Sequence, residues 1–285
     1  GAIGDIFSAI LSKTNIHVEV VKGYILPKTV DSKSLVVITS VSGNTDETLN
    51  VLKSASKSKC KLIAFSSGGK IEQFCTNNKI NFRKIPMIHS PRASFPLFLF
   101  GILNTLEPFL PIEKEDIIIS LTNLEKQKEK ISSSNLNDKN PAILLAKWIS
   151  DIPIIYYPLG LQASAIRFKN SLQENVKIHA ITEDVIESCH NGVVAWDEPS
   201  NIKPILIQGD KDYFKTKERW GILKEFFEQK QIDYYEIVNT DKNILSKLIN
   251  LIYLLDYATI YKAIFLERNP TPVGPIDFIK KKLID

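Results

Sequence analysis

The chain has 285 residues, of which 44% are hydrophobic, 24% charged and 9% aromatic. A domain holds roughly 150 residues, so this length predicts two domains, and the composition excludes disordered, collagen-like and low-complexity proteins. The net charge of +4 includes only five arginines, and the lysines near residue 126 alternate with glutamates, so we expect no nucleic-acid binding. No uninterrupted apolar run reaches the ~20 residues of a membrane span. We therefore expect a cytoplasmic protein with no membrane partner.

The cysteines and histidines do not form a recognisable ligand set. The three cysteines and four histidines lack the spacing of a disulfide framework or of a zinc site. We accordingly predict reduced thiols, no metal and no cofactor.

Short apolar runs alternate with amphipathic stretches along the whole chain, a pattern typical of a parallel sheet covered by helices. The predicted fold class is therefore α/β. In the first half the predicted strands are 17–21, 35–39, 61–65 and 82–85, and the predicted helices are 45–55 and 95–109. In the second half the predicted strands are 152–158, 176–181, 204–208 and 234–238, and the predicted helices are 142–149, 164–173, 215–229 and 243–265.

The two halves repeat one order of elements, which predicts tandem domains at 1–125 and 141–285 joined by a polar linker at 126–140. The second half opens with a strand at 152–158 that has no counterpart in the first half. A parallel sheet without its central strand leaves backbone groups unpaired. We therefore expect residues before Gly1 that supply the opening strand of the first domain.

A loop rich in hydroxyl groups follows the predicted strand 35–39 and precedes a helix. Ser40, Ser42 and Thr45 supply hydroxyls, Gly43 adds backbone freedom and Asn44 adds an amide. With the free amides of the helix N-terminus they form a suitable site for a phosphate dianion. The alternative is that Asn44 or Thr45 only caps the helix. The position at the carboxyl end of a strand, where open α/β sheets bind ligands, favours phosphate binding.

The run from Ser40 to Thr48 resembles the S-x-S-G-N-T-x-E-T phosphosugar loop of sugar isomerase (SIS) domains. Four further motifs follow it in family order: SPRA at 90–93, KNSLQEN at 169–175, HN at 190–191, and an Asn-Pro…Ile-Asp…Lys pattern at 269–280. Together they resemble the archaeal-type bifunctional phosphoglucose/phosphomannose isomerases over essentially the whole chain. That family has two tandem SIS domains, each a mainly parallel sheet flanked by helices in three α-β-α layers. Gly1 would be the remnant of a substrate loop that ends in the GAIGD run at 1–5.

The resemblance implies an aldose–ketose isomerase that interconverts glucose 6-phosphate and fructose 6-phosphate through an enediolate, without a metal. Glu174 would be the base and Arg92 would stabilise the enediolate. His190 and Lys280 would open the sugar ring, with His190 acting in the partner's site of a homodimer. From the residues alone, each position also has a structural interpretation. A glutamate placed like Glu174 is more often a solvated residue at a helix end, and a histidine placed like His190 is as often a surface turn residue as a proton shuttle. Lys280 is the lysine of a solvated tail, like Lys281 and Lys282.

One departure concerns substrate choice. Val273 stands where some bifunctional members of the family have a threonine, so glucose 6-phosphate is favoured over mannose 6-phosphate. Two alternatives stay open: a non-catalytic phosphosugar-binding SIS protein, and an aminosugar-phosphate isomerase. A sensor has no need of an acid–base set, so Glu174, His190 and Lys280 argue against the first alternative.

Overall fold

The computed structural model describes residues 1–283, and the chain forms two compact units, one made essentially of Ile3–Ile112 and the other starting at Glu113. The elements of the first unit are α1 (Ala2–Leu11), β1 (Leu35–Ser40), α2 (Asp46–Ala55), β2 (Lys61–Ser66), α3 (Gly69–Asn77), β3 (Asn81–Lys84) and α4 (Phe95–Leu106), which continues as a 3-10 turn at Glu107–Phe109.

The first unit contains a parallel sheet in the order β1-β2-β3. Ile38 of β1 pairs with Ala64 of β2, and both side chains are buried with Leu52 of α2 and Ile71 of α3 in one apolar cluster. Because all three strands are parallel, their carboxyl ends lie at one edge of the sheet. The loops that follow the three strands therefore share that edge.

The second unit also contains a parallel sheet, in the order β5-β4-β6-β7. Its strands are β4 (Ile152–Tyr157), β5 (Ile181–Asp184), β6 (Ile202–Gly209) and β7 (Tyr235–Asn239). Its α-helices are α5 (Lys114–Ile131), α6 (Pro141–Trp148), α7 (Gln162–Ser171), α8 (Val185–Ser188), α9 (Phe214–Gln229), α10 (Ile244–Phe265) and α11 (Gly274–Lys282). A π-helical turn at Leu172–Val176 extends α7, and a 3-10 helix covers Gly192–Asp197. The predicted α/β class with parallel sheets is confirmed.

The central strands of the second sheet are covered on both faces. In β4 every residue from Pro153 to Tyr157 is buried, as expected for a parallel strand inside a three-layer unit. Trp220 and Phe227 of α9 pack on one face with Ile154 and Tyr156. Burial raises the pKa of Tyr156 to about 12, and its hydroxyl accepts a hydrogen bond from Trp196 Nε1 at 3.1 Å.

Helix α10 is the one helix among residues 1–283 that is long and apolar enough to cross a membrane by length and composition. Just over half of its apolar window, 56%, is buried inside the protein, and it packs against α5, α6 and α7. The core helix of a folded domain has the same properties, so this helix is weak evidence for a membrane span.

The predicted strand 17–21 is wrong. These residues lie in an irregular segment and belong to no sheet. In the second unit β5 pairs with β4, which in turn pairs with β6. Among the described residues the first unit has no strand equivalent to β4, so residues 17–21 have no neighbour with which to form a ladder.

The predicted strand 176–181 is also wrong for most of its length. The helical region continues through the π turn to Val176, and Lys177 has a left-handed backbone with φ +62°, which no strand accommodates. The strand begins only at Ile181. The apolar alternation at 176–180 therefore reflects alternate burial of side chains in an irregular segment rather than a ladder.

The region between the predicted domains contains more helix than its polarity suggests. Residues 126–131 are the last turns of α5, which packs on α10, and the division between the units falls after Ile112. Asn140 is fully buried and caps α6: its Oδ1 accepts from Ala142 N at 2.9 Å, and its Nδ2 donates to the Ile131 carbonyl at 3.1 Å. One amide side chain thus fixes the end of α5 against the start of α6.

Candidate functional site

The loop between β1 and α2 brings the predicted phosphate-binding residues together. The hydroxyls of Ser40 and Thr45 are hydrogen-bonded at 2.8 Å, and Gly43 N donates to Ser40 Oγ at 3.1 Å. Asn44 N donates to Ser42 Oγ at 3.3 Å. Ser40 is buried, while Ser42, Asn44 and Thr45 are exposed. The loop is therefore a tight turn that presents hydroxyl groups to solvent at the carboxyl end of β1.

The capping alternative fails for α2, because Thr45 occupies the cap position but its side chain accepts no hydrogen bond from the first-turn amides. Asn44 does not cap α2 either: its Oδ1 accepts from Lys70 N, at the start of α3, at 3.0 Å. No side chain thus caps the first-turn amides of α2, which lie next to Ser40 and Thr45. Amides of this kind can hold an anion.

A second serine–glycine loop, absent from the predicted site, supports the first loop. It follows β2 with the sequence Ser66-Ser67-Gly68-Gly69 and leads into α3. Ser67 Oγ donates to the Val41 carbonyl at 2.7 Å, and Ile71 N donates to the Gly43 carbonyl at 3.0 Å. The first turn of α3 therefore bonds to the backbone of the loop between β1 and α2. The signal in the sequence was a second run of serines and glycines directly after a strand.

Arg92 lies in the irregular segment between β3 and α4, beyond the same edge of the first sheet, and is half-buried. The fully buried Ser94 holds this segment in place. Its hydroxyl donates to the Ser90 carbonyl at 2.8 Å and accepts from Ile88 N at 2.8 Å. The turn that carries Arg92 therefore has a fixed backbone.

Glu174 lies in the π turn at Leu172–Val176 and is half-buried. π turns within helices occur frequently at functional sites, because the extra residue redirects side chains. The next residue, Asn175, is buried and donates to Thr259 Oγ1 of α10 at 2.8 Å. The turn that carries the predicted base is thus anchored to the longest helix of its unit.

His190 is exposed in the turn between α8 and the 3-10 helix, and its backbone N donates to the Glu187 carbonyl at 2.9 Å. Glu183 of β5 lies beneath this turn, because a Cβ on Gly192 would stand 2.6 Å from its Oε1. Burial, and then the charge of Glu187, raise the pKa of Glu183. The structure thus places His190 at the surface, in a turn whose Gly192 lies against a partly buried carboxylate.

The C-terminal motif forms an exposed strap and helix. Lys280 lies on α11 with Lys281 and Lys282, and all three are exposed. Val273 is half-buried and stands at the N-cap position of α11, where it offers no hydroxyl. Gly1 lies directly before α1.

The structure groups the predicted residues by unit. The first unit joins Ser40, Ser42, Gly43, Asn44 and Thr45 by hydrogen bonds and places Arg92 in a loop at the same sheet edge. The second unit holds Glu174, His190 and Lys280. Among residues 1–283 no group of three or more histidine, cysteine, aspartate or glutamate side chains is arranged to hold a metal ion.

Comparison with known proteins agrees with this architecture. The family model for bacterial phospho-glucose isomerase C-terminal SIS domains matches residues 138–283. A bifunctional phosphoglucose/phosphomannose isomerase from Caldicellulosiruptor bescii is 32% identical over 289 residues, which cover 97% of this chain and 84% of the relative. An Aquifex aeolicus protein of the same name is 27% identical, over 93% of this chain and 80% of the relative.

The fold also matches solved structures at low sequence identity. A glucosamine-6-phosphate deaminase from Thermotoga maritima superposes with a TM-score of 0.69 at 12% identity, covering 94% of this chain and 82% of that one. Similarity at this level supports the SIS fold alone. The coverage and identity of the curated relatives go further: the chain belongs to the bifunctional phosphoglucose/phosphomannose isomerase family and is an enzyme of the isomerase class.

Proposed function

We propose that the protein interconverts glucose 6-phosphate and fructose 6-phosphate by moving one proton between C1 and C2 of the open-chain sugar. The observation that carries the proposal is the loop between β1 and α2, in which Ser42 and Thr45 are exposed beside first-turn amides of α2 that no side chain caps. Such a site suits the phosphate group that the substrates of the named relatives share.

In this proposal the other site residues act on the sugar. Glu174 removes the proton from C2 of the aldose and returns it to C1. Arg92 stabilises the negative charge that develops on the enediolate oxygen. His190 and Lys280 transfer protons to and from the ring oxygen and the C1 hydroxyl as the ring opens. Between the two steps of Glu174, the hydroxyl proton passes from O2 to O1 of the enediolate, which leaves the ketone at C2 and completes the conversion.

Three finer assignments belong to the same proposal. The exposed turn of His190 is suited to reach a partner subunit, so we propose a homodimer in which His190 serves the partner's site. Val273 lacks the hydroxyl found in some members of the family, so we propose that mannose 6-phosphate is the poorer substrate. The cytoplasmic location stays a prediction.

The test is a coupled assay of fructose 6-phosphate formation from glucose 6-phosphate, run beside mannose 6-phosphate and glucosamine 6-phosphate. Turnover of glucose 6-phosphate that exceeds both other substrates supports the proposal. Binding of glucose 6-phosphate without turnover would instead identify a phosphosugar-binding protein, and selective turnover of glucosamine 6-phosphate would identify an aminosugar enzyme.

A further inference from the structure

Lys177 directly follows the π turn that carries Glu174 and reaches across to the C-terminal strap, residues 268–273. Its Nζ donates to the carbonyl of Glu174, to the Pro272 carbonyl at 2.8 Å and to the Pro270 carbonyl at 3.5 Å. An ammonium group has three N–H donors, and here each has a carbonyl acceptor. One side chain therefore joins the two segments.

A second bond joins the same two segments from the opposite direction. Arg268, the first residue of the C-terminal strap, donates through Nη1 to the Val176 carbonyl at 2.7 Å. The π turn thus receives a bond from the strap, and the strap receives bonds from Lys177. Pro270 and Pro272 restrict the strap's own backbone, so fixing their carbonyls fixes the strap as a whole.

These contacts connect two functional elements of the second unit. The turn carries Glu174, and the C-terminal strap leads into α11, which begins at Gly274 and carries Lys280. Helix α11 has no buried residue, so its own packing holds it weakly. The hydrogen bonds from Lys177 and Arg268 compensate for this weak packing, because they hold the strap that leads into the helix.

We propose that Lys177 is a positioning residue, whose ammonium group holds the turn of Glu174 in register with the strap that leads to Lys280. The inference rests on the proposed function, in which Glu174 is the base and Lys280 takes part in ring opening. Lys177 itself touches neither substrate nor reacting atoms in this scheme. A small displacement of a base can reduce turnover strongly while binding persists.

The experiment compares two substitutions of Lys177 with one control in the full chain. Lys177→Met removes the ammonium and keeps the aliphatic stem, while Lys177→Gly removes the ammonium and relieves the left-handed backbone at φ +62°. Lys79→Met is the matched control, because Lys79 is an exposed lysine with φ +55° in the first unit. Steady-state kinetics, corrected for the folded fraction, and amide hydrogen exchange of residues 268–283 are measured for each.

We expect both Lys177 variants to lower kcat at least ~10-fold with little change in KM, and to exchange faster in the C-terminal strap and α11. Lys79→Met should match the wild type in both measurements. Wild-type kcat in Lys177→Gly would overturn the inference, because the variant would keep full turnover without the ammonium group. Unchanged exchange in Lys177→Met would overturn it as well.

The exchange measurement separates this inference from the proposed function. If the wild-type protein turns over no hexose phosphate, the proposed function fails. Faster exchange in Lys177→Met would still show that the hydrogen bonds of Lys177 hold the C-terminal strap in place. If the wild type is active and Lys177→Met exchanges faster at normal kcat, the positioning role is overturned while the isomerase function stands.

Discussion

Gly43 and Gly68 approach so closely that a Cβ on Gly43 would stand 1.8 Å from the Gly68 carbonyl oxygen. Gly43 also has φ +69°, a backbone conformation that residues other than glycine rarely adopt. Space and backbone direction therefore both require glycine at this position. The contact joins the proposed phosphate loop to the second serine–glycine loop, so the shape of each loop depends on the other.

Gly43→Ala should destabilise the protein by more than about 1 kcal/mol, because alanine is strained at positive φ and its Cβ collides with a backbone oxygen. It should also weaken phosphate binding, since the amides of α2 would shift. Urea unfolding and calorimetric titration with inorganic phosphate measure the two effects. Gly221→Ala is the control, because a Cβ there meets no atom within 4 Å and alanine favours the helix. Equal behaviour of the two variants would contradict the argument.

Asn44 allows the structural and ligand-binding roles of the loop to be separated. Asn44→Asp keeps an oxygen that can accept from Lys70 N, but adds a negative charge beside the proposed phosphate. We expect near wild-type stability with a raised KM for the sugar phosphate. Asn44→Ala loses the bond to α3, and we expect it to lower the free energy of unfolding by about 1 kcal/mol. If Asn44→Asp leaves KM unchanged, the phosphate does not bind beside Asn44.

The hydroxyl groups of the phosphate loop should contribute to substrate affinity rather than to turnover. Replacing Ser42 and Thr45 together by alanine should raise KM for the sugar phosphate about 10-fold or more, because each hydroxyl offers a hydrogen bond to a charged group, with a smaller effect on kcat. Ser54→Ala, near the opposite end of α2, serves as the control. An unchanged KM in the double variant would indicate that the loop does not bind phosphate.

The sequence predicted the elements whose signal is local. The strand at 35–39, the following loop and the helix at 45–55 all appear in the structure, because an apolar run, a cluster of serines and glycine, and a helical period each act over a few residues. Helix α3 was missed, since only two of its side chains, Ile71 and Cys75, are buried. Bonds to the first loop fix its position together with these two side chains.

The errors arose where structure depends on distant partners. Residues 17–21 have a strand-like pattern but no neighbouring strand, so the pattern alone was insufficient. Residues 176–180 alternate apolar and polar side chains, and Val176 and Ala180 are buried, yet Lys177 turns the backbone away from any ladder. The contacts of Lys177 with Pro270 and Pro272 span more than 90 positions of sequence, and no local pattern reports them.

Glu174→Gln tests the proposed base. The amide keeps the size of the side chain but cannot accept the proton from C2, so kcat should fall at least ~100-fold while KM changes little. Glu198→Gln removes a carboxylate from an exposed loop of the same unit and should retain full activity. Both are measured in the coupled assay with glucose 6-phosphate. Near wild-type turnover by Glu174→Gln would assign the base elsewhere.

Glu183 should make stability depend on pH. Burial raises its pKa in the folded protein, and the charge of Glu187 raises it further, so the folded state binds this proton more tightly than the unfolded state does. Stability is then fully present below the unfolded pKa of about 4.3 and is lost as the pH rises through the higher folded pKa. Removing the charge should therefore stabilise the protein at neutral pH.

Glu183→Gln should have a higher free energy of unfolding than the wild type at pH 7, and the difference should shrink as the pH falls towards 4. Glu187→Gln removes only the neighbouring charge, so we expect a smaller gain. Urea unfolding followed by tryptophan fluorescence suits the measurement, because Trp148, Trp196 and Trp220 all lie in the second unit with Glu183. A wild type more stable than Glu183→Gln at pH 7 would mean that the Glu183 carboxylate gains more from its surroundings as an anion than burial costs it.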